Sequence, residues 1–215
     1  MVSREGLSTI LGLFVFGAAM GWIGLKFDIL SMLILSGISG ILLTFSVYFF
    51  RDPKRVPLQV KNGVVSPADG IVLEVETVQE KEFIQGEARR IAIFLSLFDV
   101  HVNYVPFGGT VDYIRYNRGS YKRANKPDAS KYNANILTGI DSARGKIVFK
   151  QSAGMIARRL VNHLRLDDKV KTGQKFGMIK FGSRMEVYLP TSVHIKVSVG
   201  DRVRACESII AEFDV

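Results

Sequence analysis

Two uncharged stretches stand at the head of the chain, residues 6–25 (GLSTILGLFVFGAAMGWIGL) and 29–50 (ILSMLILSGISGILLTFSVYFF). Each is about the ~20 residues a helix needs to cross a ~30 Å hydrocarbon layer. Only Lys26, Phe27 and Asp28 separate them, so residues 1–50 read as a hydrophobic hairpin of two helices. Tyr48, Phe49 and Phe50 sit where an interfacial aromatic belt belongs, and Arg51, Lys54 and Arg55 follow at once. With Arg4 at the other end, this arrangement predicts a hairpin in a cell membrane, with both ends and the following domain on the cytoplasmic face. A secretory leader cleaved near Gly17-Ala18-Ala19 fits less well, because a second, longer apolar run follows it directly. A hairpin lying in the interface instead of spanning stays open on sequence alone.

The rest of the chain is basic. Residues 1–50 carry Arg4 and Lys26 against Glu5 and Asp28, so the whole formal charge of +9 falls on residues 51–215. A basic domain behind an apolar segment points to an anionic lipid surface before nucleic acid. One cysteine, Cys206, excludes an internal disulfide framework and a multi-cysteine metal site. Three scattered histidines without His-x-x-x-His spacing argue against zinc.

From Arg51 onward the hydrophobic period is two. Ile71, Leu73, Val75 and Val78 alternate with polar residues as the inward face of a half-buried strand. Further strands are expected in 90–98, 100–107, 110–116, 145–153, 175–190, 193–203 and 208–213, while 154–164 has partly helical spacing. Many short strands punctuated by Gly and Pro predict a mainly β domain, barrel or sandwich, over residues 51–215. Residues 117–136 break the pattern with a polar, basic stretch carrying Tyr121 and Tyr132, read as a functional lid or a solvated loop.

Three places hold residues able to do chemistry. SPADG (66–70) sets Asp69 in a turn before a strand, LFDVHVNY (97–104) sets His101 in an apolar strand, and KFGSRMEVYLP (180–190) sets Gly182-Ser183 inside a strand pattern. An ordinary turn, a core histidine and a bulge account for each taken singly. A Gly–Ser pair also suits an acyl shift, in which the serine hydroxyl attacks the preceding, sterically open carbonyl. Asp69, His101 and Ser183 together permit a hydroxyl-activating triad, which geometry and not chain order would establish.

SPADG at 66–70, LFDVHVNYVPFGGTV at 97–111, GMIARR at 154–159 and FGMIKFGSRMEVYLP at 176–190 together resemble the phosphatidylserine decarboxylase family, in its short form with a hydrophobic N-terminal hairpin. The resemblance runs from about residue 51 to the end. It implies a proenzyme that cuts itself between Gly182 and Ser183, giving a β chain of residues 1–182 and an α chain of 183–215 that stay together as a heterodimer, with higher oligomers left open. Ser183 would become an N-terminal pyruvoyl group, the cofactor, which forms a Schiff base with the amine of phosphatidylserine and accepts electrons as carbon dioxide leaves. Asp69 and His101 match the acid and base that activate the serine. Longer members carry two histidines where this chain has His101 and Tyr104, which implies that His101 serves both self-cleavage and decarboxylation. Arg158, Arg159, Lys122 and Arg123 are candidates to meet the lipid phosphate. An ether-lipid (archaetidylserine) substrate is compatible with the same motifs. Two rivals use the same sequence differently. One is a membrane-anchored serine hydrolase, which lacks a Gly-x-Ser-x-Gly elbow. The other is a lipoyl-like carrier, suggested by VHIKVSVGDRVRACESIIAEF near the C-terminus.

Overall fold

The computed structural model describes residues 1–214 apart from 59, 61, 123–131, 155–158 and 181–182. Arg123, Arg158 and Gly182 therefore lie outside the described residues. The chain forms two compact units, Met1–Lys54 and Arg55–Val215.

The first unit is a helical hairpin, α1 (Arg4–Phe27) and α2 (Leu30–Phe49), both long and apolar enough to cross a membrane. The Ser3 hydroxyl accepts from the Glu5 N–H at the start of α1. Asp28 ends it in a left-handed conformation, φ 53°, and the Ile29 N–H returns to the Gly24 carbonyl at 3.0 Å. Small residues let the helices approach: a Cβ on Gly24 would fall 2.7 Å from the Leu33 side chain. Ser36 Oγ donates to Gly17 O at 2.9 Å and Ser39 Oγ to Leu13 O at 2.7 Å, so the hydroxyls of the helix interface are satisfied across it. Leu11, Phe14, Trp22 and Ile41 point outward and exposed.

The second unit is built from antiparallel strands: β1 (Gly63–Val65), β2 (Gly70–Glu80), β3 (Gly86–Leu95), β4 (Val102–Tyr104), β5 (Gly109–Asn117), β6 (Asn135–Ser142), β7 (Gly145–Ser152), β8 (Arg159–Asn162), β9 (Lys169–Val170), β10 (Lys175–Lys180), β11 (Ser183–Pro190), β12 (His194–Ile195), β13 (Arg202–Val203) and β14 (Ile209–Glu212). Eight form one sheet in the order β13-β2-β3-β11-β7-β6-β5-β9, and two three-stranded sheets, β4-β10-β8 and β1-β14-β12, complete the unit. One face of the large sheet carries two cores. Leu95, Val111, Ile140, Phe149 and Met185 pack with Phe176 of β10, and Ile91, Ile93, Ile147, Val187 and Leu189 pack with Val64, Ile210 and Ala211 of β1 and β14. Each small sheet thus covers part of the same face.

The mainly β class is as the sequence predicts, and several details differ. The expected continuous strand over 175–190 is two strands in two sheets, β10 and β11, and Ser183 is the first residue of β11, not part of a bulge within one strand. Ile71 is exposed while Val72 is buried, because a bulge between Val72 and Glu74 shifts the alternation by one residue. Gly70 is required by close approach: a Cβ there would meet the Phe94 carbonyl oxygen at 2.2 Å. The ambiguous 154–164 stretch contains a strand, β8. β6 lies where no strand was expected, its Asn135 pairing with Ser152 and its Ile140 with Ile147.

Candidate active site

β10 ends at Lys180 in one sheet and β11 begins at Ser183 in another. Ser183 is the first residue of β11, paired with Leu95 at the end of β3, and its side chain is wholly buried. Its Oγ has no hydrogen-bond partner among the described residues. A buried hydroxyl left in that state costs on the order of 1–3 kcal/mol, so it calls for a functional explanation.

His101 is equally buried and stands at the same end of the layer. The Ile179 N–H donates to its carbonyl at 3.2 Å, which fixes it beside the last residues of β10. Asn103 and Met185, two residues beyond His101 and Ser183 respectively, meet through Gln151. Gln151 pairs with Met185 in the large sheet, and its Nε2 donates to Asn103 Oδ1 at 3.0 Å. Side chains two apart on a strand share a face. His101, just before β4, and Ser183, the first residue of β11, therefore both lie at the end of the buried layer where β10 ends. The His101 Nδ1 is 2.9 Å from the Asp99 carbonyl oxygen. A carbonyl only accepts, so Nδ1 carries the proton of the neutral ring and Nε2 the lone pair.

Asp69 is placed by the Ser66–Gly70 turn, which is stitched to both neighbouring segments. Tyr104 N donates to Pro67 O at 2.9 Å, and Cys206 N to Ser66 O at 3.0 Å. Its carboxylate accepts from Arg55 Nη2 at 2.7 Å and from the Ala205 N–H at 2.8 Å. Burial pushes the Asp69 carboxyl up, the Ala205 N–H and Arg55 oppose this, and the nearby Asp99 charge raises it further. Asp99 in turn accepts from Arg202 Nη2 and from the Ser96 N–H, both at 2.8 Å. Asp69 and Asp99 are thus two carboxylates in one locality, each held by its own arginine.

Immediately after Ser183 the other face of β11 carries a buried ion network. Arg184 Nη2 donates to Glu74 at 2.6 Å and its Nε to Glu186 at 2.8 Å, Lys150 meets Glu186 at 2.7 Å, and Arg90 bridges Glu74 and Glu76. The Tyr188 hydroxyl donates to Glu186 at 2.9 Å. Burial alone would raise the Glu186 carboxyl, but Lys150, Arg184 and Arg90 outweigh it and hold it at about 2. Cys206 is buried and its thiol is pushed up to about 12, chiefly by desolvation, which leaves it protonated and inert near neutral pH.

Among the phosphate candidates, Arg159 is exposed at the start of β8 and pairs with Lys180, three residues before Ser183. Lys122 is tied by its backbone to the Asn133 side chain, with its ammonium 4.2 Å from the Tyr132 ring. Sequence reasoning missed Arg55, Lys180, Asn103 and Gln151. Lys180 and Asn103 lie within the quoted motifs and carried a signal, whereas Arg55 and Gln151 reach the site only through tertiary folding.

The fold and the site together define a mainly β protein that follows two apolar helices and buries a serine hydroxyl and a histidine at one end of its layer. Residues 42–211 match the model of the phosphatidylserine decarboxylase family, and the chain belongs to that family. A phosphatidylserine decarboxylase proenzyme of Desulfotalea psychrophila is 43% identical over 169 residues, covering 78% of this chain and 79% of the relative. Proenzymes of the same name from Chlorobium luteolum and Prosthecochloris aestuarii are 38% and 35% identical, and cover 99% and 98% of this chain and 100% and 97% of their own lengths. The family implies a pyruvoyl group. The residues present fit one: Ser183 has an unengaged, buried hydroxyl at the head of a strand held on both sides.

Proposed function

We propose that this chain is a self-processing decarboxylase of phosphatidylserine, with Gly182-Ser183 as the cleavage site and Ser183 as the source of its pyruvoyl group. The observation that carries the reading is the wholly buried Ser183 Oγ, without a partner among the described residues, at the end of the layer that also holds His101. His101 Nε2 takes the Ser183 hydroxyl proton as Oγ adds to the residue 182 carbonyl. The peptide C–N bond then breaks, the Ser183 nitrogen takes a proton, and an ester remains. Loss of the Ser183 α-proton expels the residue 182 carboxylate. Water then replaces the nitrogen, which leaves as ammonia. Asp69, with its carboxyl pushed up by burial, supports His101 from the adjoining turn.

The pyruvoyl ketone supplies an electron sink when the substrate carboxylate is lost. His101, at the same end of the layer, holds the proton that replaces carbon dioxide. Arg159, exposed beside Lys180, meets the lipid phosphate, with Arg158 as its sequence neighbour. The two apolar helices anchor the chain in a membrane, with the β domain on the cytoplasmic side where the basic residues after α2 belong.

Intact mass of the purified protein beside Ser183→Ala tests the reading. Two pieces of 182 and 33 residues are expected from the 215-residue chain, the smaller sensitive to carbonyl reagents, while the variant stays whole. A folded wild type that remains one chain with unmodified Ser183 would overturn it and favour a hydrolase.

A further inference from the structure

Beside Ser183 the buried layer contains polar atoms that the fold does not use. Asn103 and Gln151 are 0% and 1% exposed. Gln151 Nε2 donates to both Asn103 Oδ1 at 3.0 Å and the Val161 carbonyl at 3.1 Å. Those two acceptors fix the orientation of both amides, since turning either one over would set like against like. What remains is one donor, Asn103 Nδ2, and one acceptor, Gln151 Oε1, neither with a partner among the described residues. Both sit one side-chain step along the layer from His101 and Ser183, against the apolar wall of Leu95, Phe149, Phe176 and Met185.

We propose that this amide pair is the subsite for the amino-acid headgroup: Asn103 Nδ2 donates to the substrate carboxylate and Gln151 Oε1 accepts from its amine. The inference rests on the decarboxylase reading and adds to it the residues that select a serine headgroup. A zwitterionic α-amino acid presents one acceptor group and one donor group on the same carbon, the complement of the unused pair. The choice of a neutral donor is chemically apt. An arginine here would stabilise the carboxylate in the ground state and oppose its loss, whereas an amide in an apolar wall orients the carboxylate with little such stabilisation.

The test compares two short-chain lipids on the processed full chain, dihexanoyl phosphatidylserine and dihexanoyl phosphatidylethanolamine. With cyanoborohydride present, the lipid amine displaces the ketone oxygen as water and hydride fixes the new C–N bond. Capture is read as mass gained by the 33-residue piece. Adducts that have kept or lost carbon dioxide are counted together. Asn103→Asp and Asn103→Leu should each slow capture of the serine lipid at least tenfold while changing capture of the ethanolamine lipid, which has no carboxylate, less than twofold. Equal losses for both lipids, or none for either, would overturn the inference and leave the decarboxylase reading standing. A wild type that captures neither lipid and keeps its full mass would sink both. A second measurement does not depend on processing. In the Ser183→Ala background, Asn103→Leu should leave the melting temperature nearly unchanged, because losing the unused buried Asn103 donor offsets losing its hydrogen bond from Gln151, which keeps Val161. A fall of more than about 4 °C, beyond the ~2–4 °C expected for loss of ~1 kcal/mol in a chain of this length, would mark Asn103 as structural and overturn the inference.

Discussion

At the scale of single residues, the site depends on groups whose hydrogen-bonding capacity is either fully committed or deliberately spare. His101 has its Nδ1 held at the Asp99 carbonyl, and in the mechanism proposed above it is the base for Ser183. His101→Ala should therefore slow self-cleavage by roughly a hundredfold or more, the usual worth of a positioned general base. A time course of the 182- and 33-residue pieces checks it against circular dichroism showing a retained fold. Cys206 is the opposite case. With its thiol pushed up to about 12, it should resist thiol reagents at pH 8 in folded protein and react at once after denaturation, read by dithiobis-nitrobenzoate titration. The buried Ser183 and His101 lie in short local motifs that the sequence displays, so both stand out as candidates there. The partner of Asp69 was not: Arg55 lies 14 residues away and reaches it only because the Ser66–Gly70 turn is folded against the C-terminal segment.

At the scale of elements, β11 joins the chemistry to the stability of the fold. Its Ser183, Met185, Val187 and Leu189 face the covered layer, and its Arg184, Glu186 and Tyr188 face the ion network. Glu186 is held at about 2, below its ordinary 4.5, so ionised Glu186 contributes stability that is complete above pH 4.5 and lost as pH falls towards 2. Such a shift corresponds to about 3 kcal/mol. Asp69, raised by burial, has the opposite sign: its contribution falls as pH rises through its folded value. Urea titrations of Ser183→Ala from pH 7 to pH 3 should show stability falling on acidification. Glu186→Gln should be less stable at pH 7 by about 3–5 kcal/mol, because Lys150 and Arg184 lose a buried partner, and flatter in its acid dependence. An acid limb unchanged in the variant would rule out Glu186 as its cause. Period-two alternation revealed most of the strands but not their phase or their sheets. The bulge near Leu73 reverses which of Ile71 and Val72 is buried. β6 escaped notice because Thr138 and Gly139 interrupt its apolar run, although Thr138 is buried and accepts from Asn162 at 2.9 Å.

At the scale of the whole molecule, the cut proposed at residue 182 falls where the architecture tolerates it. The 33-residue piece would contain β11 through β14. β11 lies between β3 and β7, β13 pairs with β2, and β14 with β1, so strands of the small piece are embedded in two sheets completed by the large one. Val187, Leu189, Ile210 and Phe213 of the small piece are buried in the same core as Val64, Ile91 and Ile147 of the large piece. Separating the pieces would expose that core, and burial on this scale outweighs the loss of one peptide bond's connectivity. The processed protein should therefore run as one species in size exclusion, melt in a single transition and release the 33-residue piece only when denatured. The hairpin is separable in this respect, since Met1–Lys54 and Arg55–Val215 each have their own internal packing. A chain lacking residues 1–54 should still cut itself at the wild-type rate, because Ser183, His101 and Asp69 all belong to the β unit, yet act far more slowly on phosphatidylserine in vesicles than in detergent micelles. Loss of self-cleavage on removing the hairpin would show that the helices take part in building the centre, and equal rates on vesicles and micelles would deny them the role of anchor.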